Sequence, residues 1–306
     1  MAIMTYRRED FEFPSLGAAL RGWLYLPEGV HGDLPAVIMT HGFTATRTMT
    51  IDKYAEVFAE AGFAALVYDH RGFGASDGEP RREINHFFQA KGYRDALTAL
   101  SRRRGIDARR IAIWGDSLSA NISLLVAAVD DRPAVVVAQI PGCGKEMPSP
   151  DIDGSAFAGY AALLDSDDIM GWPRETTERT PVVMPDPMRQ PCQFDELSAW
   201  RWFIEHGARL NSGWENDVQR SVMQLDTPYS VVHCAPHVKI PTFVMLSYED
   251  EIPNANPEVT RQVYELIPGP KEKYEIAGGH FGLLWHPSNL FEEASQAQTR
   301  FLKEYL

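Results

Sequence analysis

A serine flanked by small residues, Gly115-Asp116-Ser117-Leu118-Ser119-Ala120, lies between a β-branched run and an apolar helical stretch. A Gly-x-Ser-x-Gly elbow forces its serine into a strained strand-to-helix turn, so the positions two before and two after must be small to let neighbouring backbone pass. Here the later position is Ser119, which is small but is not glycine. The spacing predicts a nucleophile at Ser117. A hydroxyl is a poor nucleophile at neutral pH and needs a base on another loop. Of nine histidines, His280 in Ala277-Gly-Gly-His-Phe-Gly lies just beyond a strand, where glycines permit an irregular loop, and is read as the base. His41 after a strand is read as structural, and His70 and His286 as turn residues. His233-Cys234-x-x-His237 has metal-like spacing without a clear fourth ligand and is read as structural or surface.

The third member must be a carboxylate that orients the histidine. Ser247-Tyr-Glu-Asp-Glu-Ile-Pro253 supplies three, and Asp250 is preferred because its short side chain suits the turn after a strand. Glu249 and Glu251 are expected to be solvated, and Asp116 and Glu79 to be solvated or capping. Two backbone amides, Phe43 N–H in the loop His41-Gly-Phe-Thr44 and Leu118 N–H at a helix start, are the expected oxyanion donors.

These side chains require elements to carry them. Residues 35–41, 64–69, 110–114 and 134–139 are short apolar runs, as expected of parallel strands covered on both faces. Residues 52–61 place Tyr54, Val57, Phe58 and Ala61 on one helical face before Gly62, and 119–129 form a second helix. Residues 5–27 read as extended strands at one sheet edge. The rhythm resumes with a strand over 241–250, a helix over 258–266, a strand over 272–276 and a last helix over 289–306. Between them, 141–237 holds four of the seven Trp and half of the ten Met. The reading is therefore one α/β core, residues 1–140 and 238–306, with 141–237 as a cap-like insertion over the strand ends, where ligands of open α/β sheets bind. Met147, Trp172, Met184, Trp200, Trp202 and Trp214 are its candidates for apolar substrate contact.

The 306 residues carry a formal charge of −13, which disfavours nucleic acid and anionic membrane surfaces. The start of the chain has no apolar leader pattern, no run of about 18 apolar residues occurs, and three cysteines form no Cys-x-x-Cys motif. A cytoplasmic protein with a small-molecule substrate is expected. No cofactor or metal is called for, since the serine carries its own nucleophile and no phosphate-loop glycine pattern occurs. A homo-oligomer stays open.

Taken together, the strand followed by His41-Gly-Phe, Asp69-His-Arg-Gly-Phe-Gly-Ala-Ser76, Gly-Asp-Ser-Leu-Ser, Asp250-x-Ile-Pro and Gly-Gly-His280 resemble the α/β-hydrolase superfamily across almost the whole chain. A narrower resemblance is to dienelactone-hydrolase-like esterases and polyketide-transferase-like proteins. The resemblance implies an α/β-hydrolase fold, with an eight-stranded, mostly parallel sheet flanked by helices. It also implies the order nucleophile, acid, base for Ser117, Asp250 and His280, and makes 69–78 a structural turn. The leading expectation is hydrolysis of an ester or thioester of a small apolar substrate through an acyl-enzyme. The alternatives are cleavage of a carbon–carbon or amide bond, or acyl transfer to a small acceptor of the polyketide type; a non-catalytic binding module comes last.

Overall fold

The computed structural model describes residues 5–30 and 32–306; the first four residues of the segment read for a leader lie outside it. Tyr6–Ser15 (β1) and Ala18–Pro27 (β2) form an antiparallel hairpin at one edge of the main sheet. Leu34–Thr40 (β3) precedes helix Ile51–Glu60 (α1), which buries Ile51, Tyr54, Ala55, Phe58 and Ala59 along one stripe. Ala64–Tyr68 (β4) is buried at every position, as a strand covered on both faces should be.

Glu83–Ile84 (β5) leads into helix His86–Ser101 (α2), capped by the Asn85 side chain, which accepts from the N–H groups of Phe87 and Phe88. The alternation of apolar runs did not place this helix. Its first turns bury Phe87, Phe88, Gln89, Ala90, Gly92 and Tyr93 almost all round, so no amphipathic stripe marks it. Ile106–Asp116 (β6), helix Leu118–Val129 (α3) and Val135–Gln139 (β7) follow.

The stretch 141–237 holds Ser155–Asp165 (α4), Arg174–Thr176 (β8), Leu197–Gly207 (α5), Gln219–Met223 (β9) and Val231–Cys234 (α6). Thr242–Ser247 (β10), Pro257–Leu266 (α7), Lys271–Ile276 (β11) and Asn289–Tyr305 (α8) complete the chain.

The main sheet has eight strands in the order β1, β2, β4, β3, β6, β7, β10, β11, and from β4 to β11 neighbouring strands are parallel. One face is packed by buried residues of α2, α3 and α7, the other by those of α1 and α8. This is the α/β-hydrolase architecture. Parallel pairing from β4 to β11 sends the carboxyl ends of these strands to the same edge, so the turns after β3, β6, β10 and β11 meet there.

The stretch 141–237 is not a separate body. Its α4 and α6 share the buried cluster of α2 and α3, and α5 shares that of α1 and α8. A second sheet ties it to the core, because β9 pairs in parallel with β5 and antiparallel with β8.

Candidate active site

The turn after β6 places Ser117 at φ 52° and ψ −112°, in the left-handed half of the map that a non-glycine residue adopts only when its surroundings force it. Gly115 makes the turn possible, since a Cβ there would stand 2.1 Å from the Ser119 carbonyl oxygen. Gly42 lets the loop after β3 close over the elbow, because its Cβ would lie 2.9 Å from Asp116 Oδ2 and 3.0 Å from the Ser117 Cβ.

His280 joins the two other chemical groups: its Nε2 stands 2.8 Å from Ser117 Oγ and its Nδ1 2.7 Å from Asp250 Oδ2. The second Asp250 oxygen accepts the Ile252 N–H at 2.9 Å, which fixes the carboxylate in its turn. Asp250 and His280 side chains are both buried. Burial alone would lower the His280 pKa, but the Asp250 charge and hydrogen bond, with Asp116 and Glu251 behind them, outweigh it and leave the imidazole above its ordinary value.

One neighbouring acid differs from its sequence reading. Glu251 is not a solvated side chain: its Oε2 accepts the His280 backbone N–H at 2.7 Å, and its Oε1 accepts from the Ser198 hydroxyl. Glu249 is exposed, yet it accepts the Gly278 N–H at 3.1 Å. Both therefore hold the His280 loop, whose turn runs through Gly278 and Gly279 at φ 103° and 68°. Asp116 also differs, being buried rather than solvated. Burial raises its pKa to about 6, against the opposing pull of His280 and of Gln139. Gln139 Nε2 donates to its Oδ1 at 3.0 Å, Gln298 Nε2 donates to Gln139 Oε1 at 2.6 Å, and Trp114 Nε1 donates to Gln298 Oε1 at 2.8 Å.

Ser119, the departure from glycine in the elbow, has a definite role. Its hydroxyl donates to the His41 carbonyl and accepts from His70 Nε2 at 2.8 Å. The His70 N–H donates to His41 Nε2 at 3.2 Å, which leaves the proton of His41 on Nδ1, donating to the Gly42 carbonyl at 2.9 Å. Burial lowers the pKa of both rings, that of His70 strongly, so both are neutral hydrogen-bond links. A glycine at 119 could not join the elbow to the loop that carries Phe43. Nearby, Asp69 accepts from the N–H groups of Arg47 (2.7 Å) and Ala75 (3.0 Å), so the 69–78 turn is a brace.

Ser117 opens into a cavity of about 470 Å³ whose wall includes Phe43, Leu118, Met147, Phe194, Arg220 and Tyr229. A second cavity of about 20 Å³ lies behind it, bordered by Asp116, Ser117, Trp202, His280 and Phe281. Phe43 follows Gly42, which closes on Ser117, Leu118 follows Ser117 itself, and Leu118 N–H is a first-turn amide with no acceptor inside its own helix.

The cap tryptophans are elsewhere. Trp172 is exposed and donates to the Gln224 carbonyl, while Trp200 and Trp214 pack into the α5 cluster, Trp214 stacked 5.6 Å from Phe203. Trp202 is buried, donates to the Leu284 carbonyl at 3.0 Å, and touches only the small cavity. Of the six apolar candidates, Met147 alone lines the large cavity. Arg220, Tyr229, His86 and Asn121 line it too and drew no attention in the sequence, because nothing local marks residues that converge from the three-stranded sheet, a loop, the start of α2 and the first turn of α3.

His233 is held by Tyr160 (3.0 Å) and the Ser149 carbonyl (2.9 Å), and His237 stacks on Phe157 at 3.6 Å. Among the described residues no cluster of three metal-ligating side chains occurs, and no helix is long and apolar enough to cross a membrane.

Comparison with known proteins places this geometry in context. Residues 37–294 match the Alpha/beta hydrolase family. The polyketide transferase claH of Penicillium crustosum is 30% identical, with 97% of each chain covered, and the thiohydrolase aneE of Aspergillus aculeatus is 28% identical over 95% of this chain and 91% of its own. A polyketide transferase of Stachybotrys chlorohalonatus is 45% identical, but over 142 residues, so this chain spans under half of that relative's length. The crystal structure of the alpha/beta hydrolase GrgF from Penicillium sp. superposes with a TM-score of 0.72 at 26% identity, covering 98% of this chain and 99% of the other. The chain belongs to the Alpha/beta hydrolase family.

Proposed function

We propose that this protein is a serine acyl hydrolase that cleaves an ester or thioester of a small apolar acyl group. The observation that carries the reading is the unbroken hydrogen-bonded line Asp250–His280–Ser117 ending in a cavity of about 470 Å³. In the first step Ser117 Oγ attacks the acyl carbonyl carbon while His280 Nε2 takes the hydroxyl proton. The carbonyl oxygen becomes an oxyanion facing the N–H groups of Phe43 and Leu118, each donor contributing a factor on the order of 10²–10³ in rate. Collapse expels the alcohol or thiol, which leaves with the proton from His280. Water then attacks the acyl-serine, giving up its proton to His280, and the acid departs as Ser117 regains it.

Asp250 orients the imidazole and stabilises the imidazolium. The relatives named thiohydrolase favour a thioester, and those named polyketide transferase support a second reading, in which a small alcohol or amine replaces water in the deacylation step. The segment 141–237 is the proposed specificity cap, supported by Met147, Phe194, Arg220 and Tyr229 in the cavity wall. The substrate is a small molecule, with neither nucleic acid nor membrane involved.

The test is a matched series of p-nitrophenyl esters and N-acetylcysteamine thioesters of rising acyl length, given to the protein and to Ser117→Ala. Release that depends on Ser117, with an optimum at short or medium acyl groups, supports hydrolysis. A product mixture that shifts to acyl-alcohol or acyl-amide on adding acceptor supports transfer. Equal release by both proteins contradicts the reading.

A further inference from the structure

The large cavity contains a cation without a counter-ion. Arg220 lies on β9 beside Ile84 of β5, in the wall of the cavity that Ser117 opens into. Its Nε is buried without a hydrogen-bond partner, and among the described residues no carboxylate pairs with its guanidinium. The acids around β9 face other cations: Glu83 Oε1 faces Arg174 at 3.6 Å while its Oε2 is buried without a partner, Glu215 pairs with Arg82 at 3.0 Å, and Asp217 pairs with Arg82 and with Arg179. Glu146, also on the cavity wall, is exposed.

The polar neighbours are satisfied without it. Tyr229 donates to Asn121 Oδ1 at 2.7 Å, and Asn121 Nδ2 donates to the Gly142 carbonyl at 2.8 Å. Enclosure and the Arg220 charge hold His86, across the same wall, at about 4, so it is a neutral ring and adds no second cation. A guanidinium keeps its charge even where burial lowers its pKa, as it does here, and an unpaired buried charge is costly unless something pairs with it.

The position of the charge says what that partner is. The Arg220 guanidinium carbon stands 4.9 Å above the Phe43 ring, and Phe43 follows Gly42, whose Cβ would lie 3.0 Å from the Ser117 Cβ. An anion bound there is one aromatic ring away from the reacting carbonyl. A pantetheine arm would hold its phosphate many bonds from its thioester, so the anion belongs to the acyl group itself.

We infer that Arg220 is a specificity residue that binds a carboxylate or enolate oxygen carried by the acyl chain, making this an enzyme for acidic acyl groups. The inference rests on the acyl-hydrolase reading of Ser117. A guanidinium offers two parallel N–H donors to a carboxylate, and charge-assisted bonds of this kind are the strong ones.

The test compares the p-nitrophenyl monoester of glutarate with p-nitrophenyl pentanoate, which differs by the terminal carboxylate. The expected result is a higher kcat/KM for the glutarate ester, with the ratio falling roughly 10- to 100-fold in Arg220→Gln and to an intermediate value in Arg220→Lys. A ratio unchanged in Arg220→Gln, or a wild-type preference for pentanoate, overturns the inference. A binding arm is independent of turnover: calorimetric titration of monomethyl glutarate into Ser117→Ala and into Ser117→Ala/Arg220→Gln. Binding lost with Arg220 supports the inference, and binding absent from or equal in both contradicts it. If Ser117→Ala still cleaves pentanoate, the hydrolase reading fails while the binding arm still reports on Arg220.

Discussion

Glu251 Oε2 accepts the backbone N–H of His280 at 2.7 Å, one residue after the acid that accepts from the same histidine's ring. Adjacent acids of one turn therefore hold the base by its side chain and by its main chain. Asp250 acts on charge and tautomer, whereas Glu251 is a positioning residue. Asp250→Asn is expected to lower kcat by about 10⁴-fold, because the amide favours the wrong tautomer. Glu251→Gln keeps one acceptor oxygen for two donors and is expected to cost about tenfold in kcat, with an acid limb moved to lower pH because Glu251 helps raise the His280 pKa. Steady-state kinetics over a pH series separate the two roles.

The pH dependence has a definite sign. The acylation base must be neutral, and the His280 pKa is raised, so kcat/KM should climb with pH through a limb centred above the ordinary histidine value of about 6.5. A limb centred below that value would contradict the arrangement of Asp250, Asp116 and Glu251 around the ring.

Asp116 should weaken the fold at neutral pH. Its folded-state pKa of about 6 lies above the unfolded value of 3.8, so the native state binds the proton more tightly and stability falls as pH rises through that window. The penalty is complete above about 6 and absent below 3.8. Asp116→Asn, which can still accept from Gln139, is expected to be more stable than the parent at pH 8, on the order of 2–3 kcal/mol, with the gain shrinking toward pH 4. Urea unfolding at both pH values measures it.

Ser119→Gly restores the residue more usual in such an elbow, and it should nevertheless destabilise this protein. It leaves the His70 Nε2–H and the His41 carbonyl without their shared partner in a buried site, at a cost of about 1–3 kcal/mol. Because the same link steadies the loop that carries Phe43, kcat should fall more than KM rises. Thermal unfolding together with kinetics on one ester checks both.

The legible parts of this structure are those that local sequence determines. The apolar runs at 64–68 and 135–139 are buried at every position, and the glycines around Ser117 and His280 mark turns that demand them, so the sheet and the meeting of Ser117, Asp250 and His280 follow from patterns a few residues long. Helix 86–101 lacked a stripe at its start because Phe87 to Ala90 are buried in succession there. Glu251 was misjudged because its partner is a backbone N–H group 29 residues away. Tryptophan content did not mark the wall of the large cavity: Trp200, Trp202 and Trp214 pack in the core around α5, and only Trp202 reaches the small cavity at Ser117, whereas Arg220 reaches the large cavity through the pairing of β9 with β5, a contact across more than a hundred residues.

The most direct measurement is intact-mass analysis of the protein after exposure to a fluorophosphonate, followed by peptide mapping. The account predicts one stoichiometric adduct on Ser117, its formation slowed strongly in His280→Ala and absent in Ser117→Ala. An adduct on another residue, or ester cleavage that persists undiminished in Ser117→Ala, would contradict it.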